Sequence, residues 1–171
     1  MELSETPKKK APIVPGGYIL VNEKWKESTF EKCLSGVGKA IYCDNLGAID
    51  FYPSDHCPII YINEGELLSG ITYERKLEKM RKVSNTGGII IADRNNFTIK
   101  HFSDLQDKCF AMDLILIPIG NVSELPQILT QMVVCNIYYS LYNILKQGLP
   151  TRISVTSGRE QAAWLLSPAD Q

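Results

Sequence analysis

Short apolar runs alternate along this chain with polar stretches that carry helical spacing. Tyr18 to Val21 reads as a strand and Glu27 to Leu34 as a short helix. Ala40 to Cys43 and Ile49 to Tyr52 are strands around the turn Asp44-Asn45-Leu46-Gly47, and Pro58 to Ile62 is a further strand. Glu64 to Lys82 is helical in composition, with a break near Ser69-Gly70. Ile89-Ile90-Ile91-Ala92 is an apolar run between two glycines and a polar cluster, the pattern of a strand buried on both faces. A helix from Ile99 to Cys109 leads to a second such run, Leu114 to Ile119. Strands alternating with helices predict an α/β fold with a mainly parallel central sheet flanked by helices.

Ser123 is placed to cap a last helix, where Leu125, Ile128, Leu129, Met132 and Val133 recur at helical spacing. Beyond Val134 the apolar positions, among them Ile137, Tyr138, Leu141 and Leu145, spread over more than one face. A helix that is apolar most of the way round needs a partner or a deeper core. Leu125, Ile128, Leu129, Met132, Ile137 and Leu141 are therefore the partner-interface candidates. Residues 1–15, with Lys8-Lys9-Lys10, read as a flexible basic arm, residues 16–134 as the folded domain, and residues 135–171 as a divergent helical or loose tail.

Charge narrows the choice of function. The 171 residues hold 18 Lys plus Arg against 19 Asp plus Glu, a formal net charge of −1, so any contact with nucleic acid has to be a local patch. The most basic ordered segment supplies Arg75, Lys76, Lys79, Arg81 and Lys82 against Glu74 and Glu78. Those five cations are the DNA-binding candidates, through phosphate. The bland reading pairs Glu74 and Glu78 along the helix with Lys76, Lys79 and Lys82. No aromatic residues alternate with the cations, so a base-stacking platform is not built here. No apolar run reaches the roughly 20 residues that span a bilayer, and the charged amino-terminal residues fit a soluble intracellular protein without membrane contact. Five cysteines without a C-x-x-C pair suggest small buried hydrophobes rather than a disulfide framework or a zinc ribbon. His56 and His101 lack ligand-spaced neighbours, so no metal or other cofactor is expected.

Several signatures fail on their own chemistry. Ser35-Gly36-Val37-Gly38-Lys39-Ala40 resembles part of a phosphate loop, but Ala40 stands where a magnesium-holding hydroxyl is needed, and a turn leading into a strand is the better reading. Glu74-Arg75-Lys76 spells a nuclease triplet, in which clustered carboxylates hold a divalent cation and a lysine positions the attacking water. On a helix, three adjacent residues point in three directions, so the triplet is a coincidence of spelling.

A longer resemblance rests on Val14-Pro15-Gly16-Gly17-Tyr18-Ile19-Leu20-Val21-Asn22-Glu23-Lys24-Trp25, Asp50-Phe51-Tyr52, Leu67 to Tyr73 and the strand Gly88 to Ala92. In this order and spacing the chain resembles, from about Val14 to about Met132, the Fanconi anaemia core complex-associated 24 kDa family within the XPF/Mus81-like pseudo-nucleases. The resemblance implies an inactive XPF-type nuclease-like domain that pairs with the matching region of the Fanconi anaemia M translocase. It also implies a non-catalytic nuclear role in interstrand crosslink repair, recruiting the core complex to crosslinked, single-stranded or branched DNA. The family's Gly-Asp falls on Ile49-Asp50, its E-R-K on Ile60-Tyr61-Ile62 and its following Asp on Glu66. Asp50 is then vestigial, while Ile60 and Ile62 replace the catalytic glutamate and lysine. The tandem helix-hairpin-helix that follows in the family is not recognisable after Val133, as in a shortened or alternatively spliced form with weakened DNA contact. The rival reading is a residual metal-dependent nuclease using Asp50, Glu66 and Glu64.

Overall fold

The computed structural model describes residues 10–84 and 87–147, with side chains through Ile137. Most of the basic arm and the end of the tail lie outside the described residues. Residues up to Tyr138 form one compact unit, and those from Tyr139 onward are grouped as a second. The first unit holds β1 (Tyr18–Asn22), α1 (Thr29–Leu34), β2 (Lys39–Cys43), β3 (Phe51–Tyr52), β4 (Ile59–Ile62), α2 (Glu64–Ser69) and α3 (Thr72–Val83). It continues with β5 (Ile89–Asp93), α4 (Ile99–Ala111), β6 (Ile115–Ile119) and the start of α5 (Leu125–Gln147).

Among the described residues six strands lie in the order β2-β1-β3-β4-β5-β6. β1 pairs parallel with β2, as do β4 with β5 and β5 with β6, whereas β3 runs antiparallel to both β1 and β4. The mainly parallel α/β expectation therefore holds, with β3 as the exception. Its link to β4 is too short for a parallel crossover, which takes a dozen or more residues. The turn at Asp44 to Gly47 does not join neighbours either, because β1 lies between β2 and β3.

Local chemistry sets the element ends. Asn63 and Glu66 form a reciprocal capping box at the start of α2, and Gly70, with φ 73°, closes that helix in the left-handed region, so the break at Ser69-Gly70 is real. Ser28 caps α1, which starts two residues later than its pattern suggests. The cap expected from Ser123 moves to Asn121, whose side chain accepts the Ser123 N–H ahead of a 3-10 turn (Val122–Glu124) that leads into α5.

Alternation along the strands divides the core into two layers. On one face Ile60, Ile62 and Ile90 meet Leu67 of α2, Leu77 and Met80 of α3, and Phe102 and Leu105 of α4. On the other, Ile59, Tyr61 and Ile91 meet Phe30 and Leu34 of α1 and Leu125, Leu129 and Val133 of α5. Each such aliphatic or aromatic side chain contributes about 1.5–3 kcal/mol through burial. β6 ends the sheet. Ile115 donates its N–H to Gly88 and the Ile119 carbonyl accepts from Arg94, so alternation turns the backbone groups of Leu116 and Pro118 away from β5.

Candidate functional site

β4 runs past the end of β3, since Phe51 and Ile59 are the sole register pair between them. The backbone of Tyr61 would be left without a strand partner on that side, and side chains supply it instead. Asp50, fully buried just before β3, accepts the Tyr61 N–H on Oδ2 at 2.8 Å. Lys76 of α3 donates its ammonium to the Tyr61 carbonyl, also at 2.8 Å.

Each of these charges has its own counterpart. Asp50 Oδ1 accepts the Trp25 indole N–H at 3.0 Å and forms an ion pair with Lys24 at 2.6 Å. Both donors come from the 3-10 turn (Glu23–Trp25) that follows β1, where the Asn22 side chain caps the turn. The Trp25 ring packs against Phe30, Phe51 and Tyr61, at centroid distances of 5.1–5.6 Å. Lys76 also pairs with Glu66 at 2.6 Å, while Glu66 completes the capping box of α2.

The Tyr61 hydroxyl donates to Asp93 Oδ1 at 2.7 Å, and Asp93 Oδ2 accepts the Glu64 N–H at 3.0 Å. Burial, followed by the hydrogen bond to Asp93, raises the Tyr61 hydroxyl's pKa, and burial raises that of Asp93 as well. Glu64 itself receives the Asn95 side-chain amide. Among the described residues no group of three or more His, Cys, Asp or Glu side chains is arranged to hold a metal ion. Asp50, Glu64 and Glu66, the carboxylates of the nuclease reading, are each engaged by other side chains or backbone.

The sequence candidates are sorted by this geometry. Ile60 and Ile62 are fully buried. Arg75, Lys79, Arg81 and Lys82 are exposed, whereas Lys76 is half-buried and committed to Glu66 and Tyr61. The expected pairing along α3 is corrected too, because Glu74 reaches Lys108 of α4 and Lys76 reaches α2. Leu125 and Leu129 are fully buried in this chain's own core, which removes them from the partner surface: helical spacing alone cannot tell an inner face from an outer one. Ile128 and Met132 are half-buried against the same layer, and the side chain of Leu141 lies outside the described residues. Ile137 stays exposed and, with Val134, lines an open cleft of about 250 Å³ beside Val37 and Thr130. No helix of the described residues is long and apolar enough to cross a membrane. Sequence reasoning missed the roles of Lys24, Trp25, Tyr61 and Asp93. Lys24 and Trp25 stand 25 or 26 residues from Asp50, and no local pattern links them.

The FANCM pseudonuclease domain matches residues 11–134. The chain belongs to this family. Among relatives of this pseudonuclease chain, the Fanconi anemia core complex-associated protein 24 of Bos taurus is 32% identical over 133 residues, covering 76% of this chain and 61% of that one. The Homo sapiens protein of the same name is 33% identical over 130 residues, covering 74% and 60%. The pseudonuclease chain thus spans about 60% of the length of these curated relatives. Its fold is that of XPF from Aeropyrum pernix, with a TM-score of 0.58 at 13% identity over 87% of this chain and 79% of that one. The same protein in complex with DNA gives 0.60 at 11% identity over 88% and 72%.

Proposed function

We propose that this pseudonuclease chain is a non-catalytic accessory subunit of the Fanconi anaemia pathway. It pairs with the matching domain of the Fanconi anaemia M translocase and helps bring the core complex to crosslinked, single-stranded or branched DNA in the nucleus. The observation that carries the reading is the state of the family's catalytic positions. Ile60 and Ile62, the positions at which the resemblance sets the glutamate and lysine, are sealed in the core, and neither can bind a cation or polarise water. The aligned acids that remain, Asp50 and Glu66, are each held by a lysine, Lys24 and Lys76.

Association is assigned to the exposed part of the α5 face, at Val134 and Ile137, where a contiguous apolar surface suits a partner. Co-expression with the translocase's carboxy-terminal domain tests the reading: a stable complex is expected, and separate elution of the two chains would overturn it. Incubation of a splayed-arm DNA with magnesium or manganese is expected to leave the substrate intact. Cleavage lost in Asp50→Asn would restore the nuclease reading.

A further inference from the structure

We infer that α3 carries a phosphate-binding stripe, Arg75, Lys79 and Lys82, which grips the backbone of a duplex arm without reading its sequence. This rests on the DNA-recruitment reading above and gives it a surface. Five cations lie on α3 by sequence, but the fold does not present them together. Tyr73, Leu77 and Met80 form the buried face of the helix, and Lys76 is drawn inward to Glu66 and the Tyr61 carbonyl. Arg75, Lys79 and Lys82 stand four and three residues apart, so they share one face, opposite the buried one.

All three side chains are exposed. Glu74, the acid preceding the stripe, is turned to Lys108 of α4, which leaves Glu78 as the acid on the helix beside the stripe, with Arg81 on the same flank. At about 1.5 Å of rise per residue the stripe is roughly 10 Å long. A DNA strand carries one charge per about 3.4 Å of duplex axis, so three cations face about three phosphates. The stripe holds no Asn or Gln to read an adenine edge and no aromatic residue on which a base could stack, so its three cations are left chiefly to phosphate. Backbone capture of a duplex arm is the contact this chemistry suits.

The test is fluorescence anisotropy of the full chain with labelled duplex and single-stranded DNA of equal length, across a salt series. The wild type is expected to bind duplex with a steep salt dependence. The combined variant Arg75→Gln, Lys79→Gln, Lys82→Gln should weaken that binding at least tenfold at low salt and reduce the slope of log K against log salt by about 2–3. Lys79→Gln alone should lower the slope by about 1, and Lys32→Gln, on α1 of the opposite layer, should leave it unchanged. Unchanged duplex binding in the combined variant would overturn the stripe while leaving DNA recruitment standing. A wild type that binds no DNA would overturn both, and a loss confined to the single strand would overturn the duplex assignment.

Discussion

Lys24 Nζ lies 2.6 Å from Asp50 Oδ1, so a cation from the protein itself sits on the buried carboxylate that the nuclease pattern would give to a metal. The same carboxylate takes N–H groups from Trp25 and Tyr61. Removing it leaves two inner donors without an acceptor, each at about 1–3 kcal/mol. Asp50→Ala should therefore lower the stability of the chain by about 3 kcal/mol in urea unfolding, whereas Lys24→Met, which leaves both N–H bonds in place, should cost clearly less. Equal losses for the two variants would contradict this division of labour.

Lys76 and Arg75 are neighbours in sequence with opposite fates. Lys76→Met strips the Tyr61 carbonyl and Glu66 of their shared donor, and a loss of about 1–3 kcal/mol is expected by thermal or urea unfolding. Arg75→Gln should stay within about 0.5 kcal/mol of wild type. A larger loss at Arg75 than at Lys76 would show that the inward and outward assignments are reversed.

Asp93 gives a pH dependence of unusual sign. Burial raises its carboxyl above the ordinary aspartate value, so folding favours the protonated form, and this contribution is full at low pH and lost as pH rises through the raised value. Relative to wild type, Asp93→Asn should therefore gain stability as pH climbs from about 4 towards neutrality. Urea midpoints of the two proteins between about pH 3.5 and 7 check it, and a variant-minus-wild-type stability that falls with rising pH would refute it.

Two of the cysteines should resist alkylation. Burial pushes the Cys109 thiol up to about 12 and the Cys57 thiol up to about 11, which leaves both almost without thiolate at neutral pH. Alkylation of the native chain followed by mass spectrometry should mark Cys33 and Cys43 well before Cys57 and Cys109. Early labelling of Cys109 would mean that the layer formed by α4 opens in the native state.

On α5 the inner and outer positions should separate cleanly. Leu129→Ala empties part of a fully buried site and should cost about 2–5 kcal/mol, while Ile137→Asp should leave the isolated chain's stability nearly unchanged and weaken association with the translocase domain. Intact association of the Ile137→Asp chain, measured by co-elution, would remove this face from the interface.

Strands and helices were legible because their patterns are local: the β-branched run at Ile89 to Ala92, the turn at Gly70 and the amphipathic spacing of α3 each rest on a few adjacent residues. The antiparallel course of β3 was not legible, since a two-residue strand carries almost no periodicity and its neighbours are chosen by the whole sheet. The site divided in the same way. The resemblance singled out Asp50, Ile60 and Ile62, all three of which are buried, but the lysines that answer Asp50 and Glu66 were not legible. Lys76 meets Glu66 only because Gly70 folds α3 back on α2, and Lys24 meets Asp50 only once β1 and β3 are side by side. The split of Leu125 and Leu129 from Ile137 was hidden for a different reason, since inner and outer halves of an apolar helix look alike until something is packed against one of them.

Pro118 on β6 decides how this sheet can grow. With no hydrogen on its nitrogen, the outward rim of that strand offers the Leu116 amide and then a gap. A foreign strand laid along it would find no donor at Pro118 to continue its ladder, which guards this border against edge-to-edge fibre formation.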